Sequence, residues 1–328
     1  MDIDVSSDVS RDQWDALVRE DGSASFFQSW DWCDLLTRTL PTYRSANLFC
    51  RVGGRLVALL PALRRTRLGV SSLESMAFGT FGGPVVGPDA PSEARSALLQ
   101  AFAERARTPS VAVAQVVDRY NSVRPGDLPG FTRVDFTVQE VPLDAPYEEL
   151  FARFKRSARN KIRKALKAGV GIRRAAGEED FVSYYNVFQQ CSRDWDVRPS
   201  PGRSFFVELS RLDPSSVQMW LATYQGDVIA GDLNFVMHGN IMNWGNVSTA
   251  AARELAPNNL LHANAIEQGA LSGYHTYDLG ASTGLEGVRA FKASFGARER
   301  TVSRYTMEKP WRGSLRRILR SRQRSEGE

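Results

Sequence analysis

The chain has 328 residues, of which 42% are hydrophobic and 24% are charged, and its formal net charge is +5. This length and composition predict an ordered protein with room for two domains, and they exclude general disorder. No run of 18 or more apolar residues and no secretory signal pattern occurs, so we expect a cytoplasmic protein.

The cysteines and histidines do not indicate a metal site or a disulfide framework. Three cysteines are widely spaced and odd in number, which is typical of reduced thiols. The three histidines are not accompanied by a G-x-S-x-G nucleophile motif, so neither a metal cluster nor a serine triad is expected. These six residues are Cys33, Cys50, Cys191, His238, His262 and His275.

Basic charge is concentrated in two segments. Residues 153–167 contain eight Lys or Arg and no acid, and residues 312–324 contain six Arg and no acid. Such clustering favours a polyanionic partner. The alternative is a solvated helix face followed by a solvated tail, and the tail is also a candidate for peripheral membrane contact.

In the first half, apolar spacing and turn residues predict helices over 10–18, 30–39 and 92–107 and a strand over 111–118. The Gly- and Pro-rich stretch 79–91 is expected to be a loop that lines something.

Two segments, 48–63 and 221–235, share a strand–glycine turn–strand pattern. Aligning Gly54 with Gly226 also pairs Val57 with Ile229. This repeat suggests a duplicated domain.

In the second half, a helical region runs to Gly169 with a possible break near residues 155–157. Its apolar side is predicted to pack inward and consists of Phe151, Phe154, Ala158, Ile162 and Leu166. Strands and helices then alternate in a pattern typical of a mixed α/β sheet. The predicted strands are 170–174, 217–224, 228–237, 241–247, 274–279 and 298–307, and the helices are 180–194, 201–212, 257–271 and 285–295.

Lys292 is the most informative single residue. The helix predicted over 285–295 places Leu285, Val288, Phe291 and Phe295 on one apolar arc, and Lys292 falls inside that arc. Its stem either covers apolar surface, or its ammonium stabilises negative charge that develops on a reacting carbonyl.

Five further residues carry polar chemistry. Asp232 and Asn234 share one strand face, which is predicted either to look into a cleft or to be wet. The helix start near Asn258 and Asn259 is a generic anion site. Asp278 either orients an amine or caps the following turn.

The order of four motifs resembles the Fem-type peptidyltransferases, which belong to the GNAT superfamily and carry two GNAT-like domains in tandem. The motifs are FKRSARNKIRKALKAGVGI (154–172), WGNVSTAAARELAPNNLLHANAIEQG (244–269), YDLG (277–280) and FKASFGA (291–297). FFQSWDW (26–32) also matches the family's usual opening. The resemblance spans nearly the whole chain. It implies an N-terminal GNAT-like domain at 1–143, a C-terminal one with the donor site at 144–309, and a basic tail at 310–328.

The resemblance also implies acyl transfer to an amine, with aminoacyl-tRNA as the donor in characterised members and acyl-CoA in others. The family's Phe-Lys pair falls on Phe291 and Lys292, and its basic helix motif on residues 155–164. The chain lacks the coiled-coil arm of some members, and it lacks the usual CoA loop before Pro257.

We therefore expect a Fem-like transferase that forms an amide by moving an aminoacyl group to the amine of a small peptide, amino compound or cell-wall precursor. The alternatives are an acyl-CoA-dependent N-acyltransferase of the same fold and a non-catalytic RNA- or membrane-binding protein. No tightly bound cofactor or metal is expected, since aminoacyl-tRNA or acyl-CoA acts as co-substrate. The assigned residues are Lys292, Phe291, Asp232 and Asp278 for catalysis; Arg159, Arg163, Lys164, Asn258 and Asn259 for the donor and its phosphates; and Asn234, Trp195 and Trp244 for the acceptor.

Overall fold

The structure is a computed structural model that describes residues 2–4, 9–194, 201–282 and 284–310. Trp195 and the arginine-rich segment 312–324 lie outside these ranges. The chain forms two compact units, one containing the residues up to Asp135 and those from Val302 onward, the other Phe136–Thr301. The units divide inside strands, whereas the sequence analysis places the boundary at residue 143 and assigns residues 302–309 to the second domain.

In the first unit, a short strand and two helices precede a series of short strands, one further helix and a longer strand. In chain order its elements are β1 (Asp2–Asp4), α1 (Arg11–Glu20), α2 (Trp30–Thr39), β2 (Tyr43–Ser45), β3 (Leu48–Val52), β4 (Arg55–Leu60), β5 (Leu63–Arg67), β6 (Val70–Ser75), β7 (Val85–Val86), α3 (Ala94–Ala106) and β8 (Val111–Asp118).

The second unit alternates helices with longer strands. It contains β9 (Thr132–Pro142), α4 (Tyr147–Arg153), α5 (Arg156–Lys167), β10 (Gly171–Arg174), α6 (Glu178–Asp194), α7 (Arg203–Leu209), β11 (Val217–Tyr224), β12 (Asp227–Met237), β13 (Asn240–Ser248), α8 (Pro257–Leu271), β14 (Thr276–Ala281), α9 (Glu286–Ala293) and β15 (Arg298–Glu308). Strands β9 and β15 each cross the division between the units.

In the first unit, β1, β3, β4 and β7 form one antiparallel sheet, and β6 lies between antiparallel β5 and parallel β8. In the second unit, β10 to β13 form an antiparallel series, β13 and β14 are parallel, and β14 pairs with β9. Both predicted hairpins are present, as β3–β4 and β11–β12. The mixed α/β fold predicted from the sequence is confirmed.

The core of the second unit lies where α5 and α8 pack on the sheet. Phe154, Ala158 and Ile162 are buried there beside Leu261 and Ile266 of α8, as predicted, and Phe151 is partly buried. The inward prediction for Leu166 is wrong, because this residue is 57% exposed on the last turn of α5. The predicted helix break is also confirmed, because Phe154 and Lys155 have extended backbone between α4 and α5. The amide of Lys155 donates to the Ser294 carbonyl at 2.8 Å, which ties the start of α5 to the end of α9.

Candidate functional site

Strands β13 and β14 part from each other along their length. They pair only where Asn240–Met242 of β13 meets Thr276–Asp278 of β14, although β13 continues to Ser248 and β14 to Ala281. Beyond Met242 the two strands no longer pair with each other. This opening is the centre of the candidate site.

A β-bulge in β13 sets which side chains share a face at the opening. Leu233 of β12 pairs with Gly245, but the next residue, Asn234, pairs with Asn243, so Trp244 is an extra residue in the ladder. In a regular strand, residues 243 and 246 would point to opposite faces. The bulge places Asn243 and Asn246 on the same side, where both reach one carboxylate of β12.

That carboxylate belongs to Asp232, which is fully buried. Its Oδ1 accepts from the amide nitrogens of Asn243 at 2.7 Å and Asn246 at 2.9 Å. Its Oδ2 accepts from the Asn234 amide at 2.6 Å and from the Tyr277 hydroxyl at 3.3 Å. Four donors and no acceptor surround the carboxylate, so both of its oxygens have hydrogen-bond partners in the core.

The network continues from β14 into α8. The hydroxyl of Tyr277 lies 2.7 Å from Nδ1 of His262, and both side chains are buried. Burial lowers the pKa of His262, and the positive charge of Lys292 lowers it further, while Asp232 opposes the shift. A neutral His262 that donates from Nδ1 leaves the Tyr277 proton free to point at Asp232.

Lys292 belongs to α9, and its ammonium lies against the last two residues of β14. Its Nζ donates to the carbonyl oxygens of Gly280 at 3.0 Å and Ala281 at 2.8 Å. Burial lowers the pKa of Lys292 to about 8, and the nearby carboxylate of Asp278 partly opposes this shift. An ammonium with a pKa near 8 is mostly protonated at pH 7, and its third N–H remains for another acceptor.

The helix that carries Lys292 spans Glu286–Ala293, and the apolar arc predicted around Lys292 is buried only in part. Phe295 is buried, but Leu285 is 59% and Val288 is 36% exposed, so the prediction is wrong for these two residues. Main-chain carbonyls hold the ammonium of Lys292. Phe291, by contrast, packs against His262 and Phe295 at centroid distances of 5.5 and 5.3 Å.

The beginning of α8 borders a cleft of about 280 Å³. Asn246, Val247 and Ser248 line it from β13, together with Cys191, Arg253 and Asn258. Asn258 donates to the Ser248 hydroxyl at 3.3 Å. The cleft thus combines a helix N-terminus with one guanidinium, a set that suits an anionic group.

A second cleft, of about 440 Å³, separates α4 from α5. Three arginines of α5 line it, namely Arg156, Arg159 and Arg163, with Phe151 opposite. The Arg163 guanidinium lies 6.0 Å from the Phe151 ring centroid, and Arg159 donates to the Ala152 carbonyl at 2.7 Å. Glu148 of α4 also lines the cleft, and Phe151 is partly buried. Planar cations beside an aromatic ring suit phosphate and base groups of a nucleic acid.

The first unit also contains a parallel strand pair, β6 and β8, but a loop fills the space beyond it, whereas β13 and β14 of the second unit part. Strands β6 and β8 pair over five positions, from Ser71 to Ser75. The loop that follows β6 then returns, and the amide of Gly82 donates to the Val117 carbonyl at 2.9 Å. A Cβ at residue 82 would lie 1.9 Å from the Ser75 carbonyl oxygen, so this return requires glycine. The loop expected to line a site fills the gap in this unit.

The structure separates the predicted site residues into groups. Arg159 and Arg163 line the α4–α5 cleft and Asn258 the cleft at α8, whereas Lys164 lines neither of the two. Asp278 accepts from the Gly280 amide at 2.7 Å, as expected for the turn-capping alternative. The predicted site residues that are buried are Asp232, Asn234, Asn259 and Asp278.

Trp244, assigned to the acceptor, packs among Phe205, Phe206 and Phe235. The expectation that the Asp232–Asn234 face is wet is wrong, since it forms the polar centre of the core. Sequence reasoning missed Asn243, Asn246 and Tyr277 as partners of Asp232, and it missed His262 as the partner of Tyr277. Two asparagines three residues apart on a strand are a detectable signal only when a bulge is anticipated between them.

In the parts of the chain that the structure describes, no group of three His, Cys, Asp or Glu could hold a metal ion. No helix among those residues is long and apolar enough to cross a membrane.

Comparisons with known proteins place this site in a family context. The acetyltransferase (GNAT) domain family matches residues 152–293, a segment that includes β13, α8, β14 and Lys292. No curated protein sequence gives a significant match.

Solved structures match nearly the whole chain. FemX is 14% identical with a TM-score of 0.69, covering 92% of this chain and 97% of its own. L-PGS from Bacillus licheniformis is 13% identical with a TM-score of 0.61, covering 97% and 98%. A tandem GNAT protein from the clavulanic acid biosynthesis pathway is 15% identical with a TM-score of 0.57, covering 94% and 98%. At these identities the likeness concerns the fold.

Proposed function

The chain carries a GNAT acyltransferase domain on a FemX-like fold, and from this premise we propose that it transfers an aminoacyl group from aminoacyl-tRNA to an amine. The acceptor would be a small peptide, an amino compound or a cell-wall precursor. The observation that carries the proposal is the α4–α5 cleft, where Arg156, Arg159 and Arg163 face Phe151.

The cleft supports a nucleic-acid donor for two reasons. Its helix belongs to the 153–167 segment, in which eight basic residues occur without an acid. Arg156, Arg159 and Arg163 repeat at spacings of three and four, so their guanidinium groups follow one face of α5. Such a face binds successive phosphates, and the cation–aromatic pair of Arg163 and Phe151 offers a surface for a base.

The proposed reaction is aminolysis of an ester. The neutral amine attacks the acyl carbon, a C–N bond forms, and the carbonyl oxygen becomes an oxyanion. The C–O bond to the ribose then breaks, and the proton released by the amine neutralises the ribose oxygen that leaves, so charge and atoms balance. The reaction needs a donor for the oxyanion and an oriented amine.

In this proposal Lys292 supplies the donor for the oxyanion. Its ammonium is already held beside the opening by the carbonyls of Gly280 and Ala281, which fixes its position before substrate binds. Phe291 is fixed in turn by His262 and Phe295, and we assign it to contact with the acyl end of the donor. Asp278 supports the positive charge of Lys292 through its nearby carboxylate.

A second candidate function is supported by the cleft at the start of α8. Ser248, Arg253 and Asn258 surround about 280 Å³ beside a helix N-terminus, a chemistry that also suits the diphosphate of an acyl-CoA. The non-catalytic alternative has no such support, because the matched domain is that of an acyltransferase.

One experiment distinguishes the two donors. Purified protein is incubated with mixed amine acceptors and either aminoacyl-tRNA or acetyl-CoA, each labelled in the acyl group. We expect label to move to an amine from aminoacyl-tRNA. Transfer from acetyl-CoA alone would replace the proposal with the second candidate, and transfer from neither would reject both for these two donors.

A further inference from the structure

We infer that the side-chain amides of Asn243 and Asn246 form the recognition site for the amine of the acyl acceptor, with Asp232 behind them as a positioning residue. This inference rests on the proposed function, because it identifies where the acceptor of that reaction binds.

The first step concerns the orientation of the two amides. A carboxylate oxygen only accepts hydrogen bonds, so the end of an asparagine that meets it is the nitrogen. Asn243 and Asn246 both meet Oδ1 of Asp232, at 2.7 and 2.9 Å. Their nitrogens therefore point inward and their oxygens are the ends left for other partners.

The second step concerns what those oxygens contact. Within the described ranges, neither Oδ1 of Asn243 nor Oδ1 of Asn246 accepts a hydrogen bond. Both asparagines are half-buried, unlike Asp232 and Asn234. Asn246 lines the cleft at the start of α8, and Asn243 follows directly on Met242, where β13 and β14 part. The pair thus offers two hydrogen-bond acceptors at the opening.

The third step concerns charge. Asp232 makes no ion pair with a described residue, and all four of its contacts are neutral donors. The negative charge behind the amides polarises them, so their oxygens are stronger acceptors than those of an ordinary asparagine. An ammonium, or an amine with its N–H groups directed at these oxygens, is the complementary ligand.

Tyr277 and His262 complete the support. Tyr277 donates to Asp232 and contacts His262, whose ring also packs on Phe291. The acceptor site and the residue assigned to the acyl end therefore share one buried scaffold. A purely structural network would hold these residues equally well, but it would not discriminate between ligands.

The test uses two small probes of nearly identical shape. Alaninamide carries an ammonium, and lactamide carries a hydroxyl group in its place. Protein labelled with 15N at asparagine is titrated with each probe at pH 7, and the side-chain signals of Asn243 and Asn246 are followed. We expect alaninamide to shift both signals and to bind at least about tenfold more tightly than lactamide.

Three variants accompany the wild type. Asp232→Asn is nearly isosteric, removes the negative charge and replaces one of the two acceptor oxygens by a donor, so we expect the preference for alaninamide to fall below about twofold. Asn243→Ala combined with Asn246→Ala keeps the buried carboxylate and should abolish binding. Asn240→Ala is the matched control, because Asn240 lies on the same strand and bonds Thr276. It should bind as wild type does.

Equal binding of the two probes by the wild type, or no binding of alaninamide, would overturn the inference. In the transfer assay, the double alanine variant should raise KM for the amine at least about tenfold and leave KM for the donor unchanged. An unchanged amine KM would reject this site while the proposed function stands. A wild type that transfers no acyl group but still prefers alaninamide would reject the proposed function alone.

Discussion

Replacement of Lys292 by methionine tests the proposed mechanism most directly. The change keeps the length of the side chain and removes the ammonium, so Gly280 and Ala281 lose the donor that now lies 3.0 and 2.8 Å from their carbonyl oxygens. If the ammonium also stabilises the oxyanion, turnover should fall by about a hundred- to a thousandfold, because one such donor is worth about 3 to 4 kcal/mol of the barrier.

The effect of this change on stability depends on pH. The pKa of Lys292 is about 8 in the folded chain against 10.5 for a free lysine. Between these values the unfolded chain binds more protons, so the stability of the wild type should rise as pH increases from about 8 to 10.5. The full shift corresponds to about 3 kcal/mol, and we expect about 1 to 2 kcal/mol because Lys292 is partly exposed to solvent.

Lys292→Met should not show this rise. At pH 7 its net change in stability should be small, because the lost hydrogen bonds and the removed cost of a poorly solvated charge oppose each other. Urea unfolding of both proteins at several pH values measures the difference. Lys309→Met is the matched control, since Lys309 also donates to a main-chain carbonyl, that of Arg107 at 2.9 Å.

Turnover has its own pH signature. If the protonated ammonium is required, kcat of the wild type should decrease as pH rises through about 8, and residual activity of Lys292→Met should lack this decrease. A lysine that only ties α9 to the end of β14 would change stability without affecting the pH profile. Turnover of Lys292→Met within threefold of wild type at pH 7 would refute the catalytic role.

Three further predictions concern the basic helix, the first unit and the thiols. The double change Arg159→Ala and Arg163→Ala should weaken tRNA binding and reduce the magnitude of the slope of log affinity against log salt by about 1.5 to 2. Filter binding measures both effects, with Arg38→Ala as the control variant. An unchanged slope would argue against phosphate contacts. Gly82→Ala should lower the free energy of unfolding by about 1 to 3 kcal/mol or more in urea, because its Cβ meets the Ser75 carbonyl. Gly22→Ala is the control, since a Cβ there has open space and should change the free energy of unfolding little. Equal effects of the two changes would contradict the close approach. In a Cys191→Ser background, Cys33 and Cys50 should not react with a thiol reagent until the protein is unfolded, because both are buried and burial raises the pKa of both thiols. Consumption of reagent by the native protein would show that these two thiols are accessible.

Local periodicity was sufficient to predict the basic helix. Apolar residues at helical spacing placed Phe154, Ala158 and Ile162 inward, and the arginines of α5 consequently faced outward. The same reasoning failed for Leu285 and Val288, which are exposed. A short helix shows an apolar arc whether or not another element covers it, and the presence of a covering element is a tertiary property.

The centre of the site could be predicted only in part. Alternation along β12 correctly placed Asp232 and Asn234 on one face, but it could not show that this face is buried. The donors that permit its burial come from β13 and β14, and their positions depend on the bulge at Trp244 and on strand pairing. Neither feature follows from the local sequence.

The two units show why one parallel strand pair provides a site and the other does not. In the first unit the pair extends over five positions, and Gly82 lets the following loop bond to Val117 in the space beyond Ser75. In the second unit the pair stops after three positions, and a buried anion with its amide donors lies next to the opening. A filled gap stabilises a fold, whereas an open gap with oriented polar groups costs stability unless a ligand uses them. The acyltransferase chemistry proposed for this chain therefore belongs to the second unit, where the matched acetyltransferase domain also lies.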